Sequence, residues 1–545
     1  MSFLINNKER CFLEIQHHNI PKQIEYNKKL VLFSKQSGLR LITGTDTHSI
    51  SKEKHEATKV LQKSKKISFN DEEAEADLVF KTYDELVEAY KKQNAVPIDM
   101  VLEAINNTNV MADMVEEFEV DRSYKYPHLW GNSIEVFKNK IQEGIKHRDV
   151  DKYPNYDEYM KRIEYELKTY IHNNAVDFML LMEDVISFCK QNNIPTGYGR
   201  GSVTGSVISW LLGITEIDSI KFNLNFERFM NTERISLADI DTDLPPSRIP
   251  EVKDYLYKKH GLYCSDIITF NTIDTKGAIR DIGRALDIPL EEVNNICKNI
   301  DTDENKYRNK YKKLFYYVDL VKGTVVSIGI HPCGLITSPI SLDDNVGLCT
   351  VKTSDYPVSQ LYMKEIDSLN YVKLDLLKLD TAELIAETCK LANIPMVLPD
   401  TLDVNDENVW NSIKNDTTEI FQWKSDMASN YLKKILDKEN INKLGGNIDK
   451  ITLMTIGNSA IRPAGASYRD DLANGIVRKT GAKPIDDFLK PTFGYLVFQC
   501  QIIEFLHNYC GFTMGEGDYV RRLFSKKIGT EEAIPVIKNG GYLNN

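Results

Sequence analysis

The chain has 545 residues, 10% of them aromatic, and a formal net charge of −11. This length predicts roughly three or four domains, and the aromatic content excludes a disordered chain. No stretch approaches the ~20 consecutive apolar residues that span a bilayer. The nine cysteines form no Cys-x-x-Cys pair, as expected of a protein in a reducing cytoplasm. The acidic balance argues against a nucleic-acid partner.

The N-terminal third alternates strand and helix patterns before it becomes helical. Residues 40–43 form a short apolar run that leads into a polar turn at residues 44–48, which is typical of an α/β unit. Apolar residues then recur at helical spacing within residues 101–114 and 134–145, and a further helix is predicted over residues 176–192.

The rest of the chain is predicted to hold one interrupted sheet followed by helices. Strand-like runs occur in residues 196–261 and again in residues 331–380, and the charged, helical residues 262–330 separate them. We expect the two strand-rich segments to pair in one sheet. Residues 381–545 are predicted to be mainly helical.

Three aspartates alternate with other residues at Asp239, Asp241 and Asp243. Side chains two apart in a strand lie on one face, where neighbouring carboxylates repel unless a cation lies between them. Mg²⁺ prefers such oxygen ligands, and two ions about 3.5–4 Å apart support phosphoryl transfer. Asp375 lies in an apolar run, where a buried charge needs a partner or a metal. The alternative is that these carboxylates face solvent.

A glycine-rich loop with Gly197, Gly199 and Gly201 precedes an apolar helix. Glycines let the backbone approach a phosphate closely, a helix N-terminus offers free N–H groups, and Arg200 adds a charged donor. The spacing matches neither the dinucleotide-binding pattern nor the Walker pattern. A plain loop before a buried helix is the alternative interpretation.

Two clusters of basic residues contain no acidic residue. Residues 305–313 hold five basic side chains and residues 521–527 hold four. Basic side chains can follow a phosphate backbone, and neighbouring aromatic rings can stack on bases. A solvated helix face is the alternative. The basic positions are Lys306, Arg308, Lys310, Lys312, Lys313, Arg521, Arg522, Lys526 and Lys527.

Taken in chain order, these motifs resemble the C family of bacterial replicative DNA polymerases, the polymerase III alpha subunits. The resemblance covers nearly the whole chain. It includes a phosphate-binding loop, a palm strand with paired aspartates, an arginine helix, a glycine/histidine/proline turn, a third aspartate and fingers motifs. The matching segments are residues 199–206, 226–231, 239–243, 279–284, 329–334, 373–377, 421–422, 462–463, 498–501 and 515–518.

The resemblance implies a multidomain protein of mixed α/β (α+β) class. Its parts would be a polymerase-β-like nucleotidyltransferase palm, a helical thumb, mostly helical fingers and part of a PHP (polymerase and histidinol phosphatase) α/β domain. The implied boundaries are 1–95 for the partial PHP-like domain, 96–170 for a helical connector, 171–268 and 329–380 for the palm, 269–328 for the thumb and 381–545 for incomplete, proximal fingers.

The resemblance also implies a DNA-directed DNA polymerase that transfers dNMP from a dNTP to a primer 3′-hydroxyl with two Mg²⁺ ions. By motif match, Asp241, Asp243 and Asp375 are the catalytic, metal-holding carboxylates. The implied nucleotide-binding residues are Arg200, Gly201, Ser202, Arg228, Arg234, Lys373, Arg521 and Arg522. The implied DNA-binding residues are Arg280, Lys306, Arg308, Lys310, Lys312 and Lys313.

The sequence departs from the family pattern at several points. It has no His-x-His strand, and Lys424 stands where an acidic residue is usual. Asp46, His48 and His55 are therefore interpreted as structural rather than as a PHP metal site. We expect a split-gene product, a reduced phage form or a truncation, with a second polypeptide completing the fingers and C-terminal modules.

The implied ligands are primer-template DNA and dNTP in the cytoplasm of a bacterium or phage-infected cell, with no membrane partner. A sliding clamp or other replisome proteins would bind only through the missing modules. Two alternatives stay open. One is a template-independent nucleotidyltransferase, and the other is a non-catalytic replisome or DNA-binding fragment.

Overall fold

The computed structural model describes residues 2–67, 76–232 and 240–526, and its contacts divide the chain into two compact units. The first unit combines Met1–Asp121 with Thr269–Gly329. The second combines Arg122–Ile268 with Ile330–Asn545. The fold is of mixed α/β class.

The N-terminal part of the first unit is a small α/β arrangement. Strands β1 and β2 pair in parallel with Phe12 opposite Arg40, which confirms the strand predicted at residues 40–43. Ile15 and Tyr90 lie in the core that covers this pair. The elements are α1 (Ser2–Asn6), β1 (Phe12–Gln16), α2 (Pro21–Ser37), β2 (Arg40–Gly44), α3 (Lys52–Ser64), α4 (Tyr83–Gln93) and α5 (Ile98–Asp113).

The second unit begins with helices that pack around a large apolar core. The helices predicted within residues 134–145 and 176–192 are confirmed, and the second of them is buried along most of its length because apolar residues cover nearly all of its faces. The elements are α6 (Ser133–His147), α7 (Tyr156–His172), α8 (Val176–Gln191), α9 (Val207–Leu211), β3 (Asp241–Leu244), α10 (Ile249–Lys258) and β4 (Tyr263–Thr272).

The helices that follow return to the first unit. Ile279 and Val318 pack against Ala57 and Leu61 of α3, and Lys63 Nζ donates to the carbonyl of Ala285 at 3.1 Å. The prediction that residues 262–330 are helical throughout is wrong at both ends, where strands occur. The elements are α11 (Thr275–Ala285), α12 (Leu290–Lys310), α13 (Lys312–Val321) and β5 (Val325–Ser338).

The remaining described residues complete the sheet and then form a helical region, as predicted for residues 381–545. Trp423 and Leu432 lie in the core of that region. The elements are α14 (Leu342–Asn345), β6 (Leu348–Cys349), β7 (Val358–Tyr362), α15 (Met363–Ser368), β8 (Val372–Lys378), α16 (Asp380–Leu391), α17 (Glu407–Asn415), α18 (Asp426–Ile435), α19 (Lys438–Leu444), α20 (Lys450–Ala460), α21 (Arg469–Ala473), α22 (Lys483–Leu489), α23 (Gln499–Cys510) and α24 (Met514–Lys526).

A six-stranded mixed sheet has the order β3-β8-β5-β4-β7-β6. Strand β8 pairs in parallel with β3 and antiparallel with β5, so strands from before and after the helical insertion share one sheet, as predicted. Within residues 196–261, however, β3 is the one strand among the described residues, and much of the apolar sequence there belongs to helices α9 and α10. None of the helices that the structure describes is long and apolar enough to cross a membrane.

Candidate functional site

Two of the predicted catalytic aspartates lie opposite each other on neighbouring strands. The register of β3 and β8 pairs Asp241 with Asp375, and both side chains are half-buried. These residues are far apart in sequence and meet because the two strands are parallel neighbours. The sheet therefore brings together the two carboxylates that the sequence placed in separate motifs.

The two carboxylate oxygens of Asp375 have different surroundings. Its Oδ2 accepts an ion-pair contact from Lys373 Nζ at 2.9 Å. Its Oδ1 is buried and has no hydrogen-bond partner among the described residues. Gly334 lies opposite on β5, and a Cβ there would come within 3.1 Å of Oδ1. A side chain at position 334 would meet this oxygen and, at 2.9 Å, His331 Nδ1, so glycine is the residue that fits here.

Both the side chain and the backbone of Asp243 contact the glycine-rich loop. Arg200 Nη1 donates to its Oδ1 at 2.8 Å, and the Gly197 N–H donates to its backbone carbonyl at 3.0 Å. A Cβ on Gly197 would come within 2.6 Å of the Asp243 Cβ, closer than packed atoms tolerate. The third predicted carboxylate thus fixes the loop against β3.

The tip of the same loop approaches Asp241. Gly201 has a φ of 71°, and a Cβ there would lie 3.1 Å from Asp241 Oδ2. Glycine adopts this left-handed conformation without the penalty that other residues incur. Ser202 directly precedes a 3₁₀ turn at Val203–Gly205 that leads into α9. The predicted phosphate-binding loop therefore lies beside the aspartates.

The carboxylate arrangement fits a hard divalent cation at Asp241 and Asp375. Asp241 and Asp375 lie opposite each other, and Asp375 Oδ1 has no hydrogen-bond partner among the described residues. This arrangement suits an ion that is held by one or two carboxylates and whose coordination is completed by substrate oxygens. Across residues 2–67, 76–232 and 240–526, no group of three or more His, Cys, Asp or Glu side chains converges on a common metal position. Asp243 is turned to Arg200 instead, so its place in the predicted three-carboxylate set stays a prediction.

Three predicted nucleotide-binding arginines lie in one neighbourhood. The buried Asp518 binds both Arg521 and Arg522. Arg228 Nε donates to Gln499 Oε1 at 3.1 Å. Burial lowers the pKa of Arg228 below its ordinary value, and the nearby Arg521 lowers it further. The remaining predicted nucleotide-binding arginine, Arg234, lies outside the described residues.

The basic cluster at residues 305–313 divides into exposed lysines and one neutralised arginine. Arg308 donates to both carboxylate oxygens of Asp319 at 2.7 and 3.0 Å and to Glu304 at 2.8 Å. Tyr307 and Phe315 are buried in the helical core, so these two rings are packing residues and not stacking surfaces. The predicted DNA-binding residues that are exposed are Arg280, Lys306, Lys310, Lys312 and Lys313.

The sequence did not single out Glu166, a fully buried carboxylate that contacts the loop from α7. Its spacing from Arg162 is that of an ordinary i,i+4 ion pair, which is common on solvated helix faces. The signal that could have found it is its position on the apolar side of α7, between the buried Ile163 and Tyr170.

Comparison with known proteins matches two segments of the chain to domains of one protein family. Residues 135–378 match the bacterial DNA polymerase III alpha NTPase domain, and residues 449–534 match the finger domain of the same subunit. These two matches include β3, β8, the glycine-rich loop and the arginines at 521 and 522.

Curated relatives named DNA polymerase III subunit alpha align with most of the chain. The chain is 28% identical over 578 residues to the DNA polymerase III subunit alpha of Helicobacter pylori and 29% identical over 555 residues to that of Borreliella burgdorferi. Each alignment covers 95% of this chain and 46% of the relative. The subunit of Buchnera aphidicola is 30% identical over 473 residues, which cover 78% of this chain and 40% of the relative. The chain thus spans about half the length of these relatives.

Proposed function

The chain belongs to the family of bacterial DNA polymerase III alpha subunits, and on that premise we propose that it carries template-directed nucleotidyl transfer from dNTP to a primer 3′-hydroxyl. The observation that supports this most directly is the register of Asp241 opposite Asp375, with the glycine-rich loop beside them. Two carboxylates next to a loop with a conformation suited to phosphate match the needs of phosphoryl transfer.

The proposal assigns the carboxylates to metal binding. Asp241 and Asp375 would hold Mg²⁺, with Asp243 joining them if Arg200 shifts to a substrate phosphate. Bound Mg²⁺ supplies Lewis acidity that favours deprotonation of the primer hydroxyl and offsets charge at the α-phosphate. Lys373 keeps one oxygen of Asp375 in place, which leaves the other oxygen as the ligand.

The nucleotide would be bound by the loop and the arginines. The Gly201 and Ser202 backbone would approach the triphosphate, with Arg200 as a charged donor. Arg521 and Arg522 are oriented by Asp518, and Arg228 donates to a neutral amide. Arg228 therefore has its charge available for an anion. The palm, thumb, fingers and partial PHP domain named above are part of the same proposal.

The proposed DNA contacts are the exposed Arg280 and the four lysines at 306, 310, 312 and 313. The proposed partners are primer-template DNA and dNTP. These partners rest on the family and on the exposed charges.

Primer extension with Mg²⁺ tests the proposal. Asp241→Ala should reduce the rate of extension by more than about 10³-fold. It removes a ligand of the metal, and the metal stabilises the charged transition state by several kcal/mol. Asp487→Ala removes an exposed carboxylate of α22 and should extend like the parent. Equal rates for parent and Asp241→Ala would contradict the metal assignment. Incorporation without a template strand would favour the template-independent alternative.

A further inference from the structure

A buried carboxylate occupies the N-terminus of the helix that follows the glycine-rich loop. Glu166 on α7 is fully buried and accepts hydrogen bonds from the backbone N–H groups of Val207 and Ile208, each at 3.0 Å. Its Oε2 also accepts from Ser206 Oγ at 2.7 Å. The first amides of α9 are therefore already bound to an internal carboxyl group.

The same carboxylate pairs with Arg162, which also donates hydrogen bonds to the backbone at the end of the loop. Arg162 Nε contacts Glu166 Oε1 at 2.9 Å. Its Nη2 donates to the carbonyls of Gly205 and Leu224 at 3.0 and 3.1 Å. Tyr170 OH lies 2.7 Å from Ser206 Oγ. Such charge-assisted bonds in a buried setting are stronger than neutral ones, so the end of the loop is held rigidly.

This arrangement determines which part of the loop remains free for a ligand. The N–H groups of Val207 and Ile208 donate to Glu166, and the N–H group of Ser209 donates to Ser206 Oγ. Within the described chain, the N–H groups of Gly201 and Ser202 donate to no protein acceptor. A triphosphate would therefore meet the turn beside Asp241, not the helix end that the sequence pattern suggested.

We propose that Glu166 is a positioning residue for nucleotide binding: it holds the end of the loop through α9 and thereby sets the Gly201–Ser202 turn against Asp241. The inference rests on the proposed function. Glu166 lies behind the loop and contacts its far end, so it acts through the loop. Its loss should weaken binding of dNTP more than it slows the chemical step, because the metal-holding carboxylates lie on separate strands.

Glu166→Gln tests this by removing the charge while keeping the size of the side chain. Glutamine also directs an N–H₂ group at the amides of α9, which have no acceptor to offer. We expect the KM for dNTP in primer extension to rise about tenfold or more while kcat changes by less than about threefold. The matched control is Glu164→Gln on the same helix, where an exposed carboxylate forms an ion pair with Lys168 at 2.7 Å.

A second readout separates positioning from general stability. Amide hydrogen exchange should accelerate in residues 199–209 of Glu166→Gln and stay unchanged in β3 and β8. Uniform acceleration, or an unchanged KM in a folded variant, would overturn the proposal. If Glu166→Gln fails to fold, Arg162→Lys carries the test, since lysine keeps the charge but cannot reach Glu166, Gly205 and Leu224 together.

Failure of the inference differs from failure of the proposed function. A parent chain that extends no primer contradicts the proposed function, and titration with Mg²⁺–dATP then tests Glu166 directly. Weaker dATP binding by Glu166→Gln than by Glu164→Gln supports the positioning role. Equal affinities, or no dATP binding by the parent, overturn it.

Discussion

At the scale of single residues, Gly201 shows how one missing side chain shapes the site. Its φ of 71° and the 3.1 Å separation between a would-be Cβ and Asp241 Oδ2 are separate constraints. The first affects stability, because an L-residue in this conformation costs about 1–2 kcal/mol. The second affects the carboxylate that we assign to metal binding. The two effects can be separated with a suitable control.

We predict that Gly201→Ala loses about tenfold to a hundredfold in kcat/KM, since displacing Asp241 or the loop by a fraction of an ångström misplaces reacting groups. Gly446→Ala is the control. Gly446 lies in the same unit with a φ of 83°, and a Cβ there would meet nothing within 4 Å. Both variants should lose similar thermal stability, measured by calorimetry. Similar primer-extension rates for both would show that Gly201 is needed only for its backbone conformation.

The site residues differ in how far sequence could identify them. The alternation of Asp241 and Asp243 predicts a shared strand face, because the side-chain period of a strand is two. No local pattern reveals that Asp375 lies opposite Asp241: the family resemblance implied only a shared metal role, and the register came from the structure. Glu166 was missed because a buried charge and a solvated charge look alike in an amphipathic helix until the packing is known.

At the scale of elements, the β1–β2 pair ends in two buried histidines. Burial lowers the pKa of His17 to about 4, with repulsion from His18 and Lys81 adding to the effect and Asp77 opposing it. The pKa of His18 is lowered by burial too. Both imidazoles are thus favoured in the neutral form inside the first unit, whereas an unfolded chain would protonate them near pH 6.5.

We predict that acid destabilises this part of the first unit. Between the folded pKa of about 4 and the unfolded value near 6.5, the unfolded state binds more protons, so stability falls as pH decreases. From pH 7.5 to pH 5, His17 alone should contribute a loss of about 2 kcal/mol. The measurement is the opening free energy of β1 and β2 amides by hydrogen exchange, corrected for intrinsic rates at each pH.

The matched variant is His17→Phe, which keeps an aromatic ring near Tyr90, whose ring centroid is 6.2 Å from that of His17. Its loss of stability over the same pH range should be smaller by about 2 kcal/mol, because the contribution of His17 is then absent. The same pH dependence in both proteins would contradict the assignment to His17.

Elements were predictable where an apolar run was bounded by polar or turn-forming residues. Helix α8 and strand β2 follow directly from their apolar patterns. The ends of residues 262–330 were mistaken for helix, although Gly323, with a φ of 80°, separates α13 from β5. Tertiary pairing decides such boundaries, since β-propensity reflects packing against neighbouring strands more than local preference.

At the scale of the whole molecule, the net charge of −11 hides an uneven distribution. Four exposed lysines occupy residues 306–313, while Arg308 in their midst is neutralised by Asp319 and Glu304. The sequence contains five basic residues in this cluster, and in the structure the four lysines are exposed and can contact a phosphate backbone. The sequence could not show this because the Arg308–Asp319 pair forms only when α12 and α13 pack together.

We predict weak, strongly salt-dependent binding of primer-template DNA, because an acidic chain repels DNA except where these lysines lie. Replacing the four with glutamine should make the slope of log Kobs against log salt about 3 to 4 units shallower, since each phosphate contact contributes about 0.9. Fluorescence anisotropy between 50 and 200 mM salt (about the usual range for such titrations) measures this slope.

The control removes the same charge elsewhere in the first unit, by replacing the exposed Lys8, Lys28, Lys35 and Lys92 with glutamine. This variant has the same net charge as the first, so a general effect of charge would change both slopes equally. A selective change in the 306–313 variant would assign the contact to that helix pair, because counterion release counts only the cations that touch phosphate. Equal slopes, or tight binding that persists at physiological salt, would place the DNA contact elsewhere.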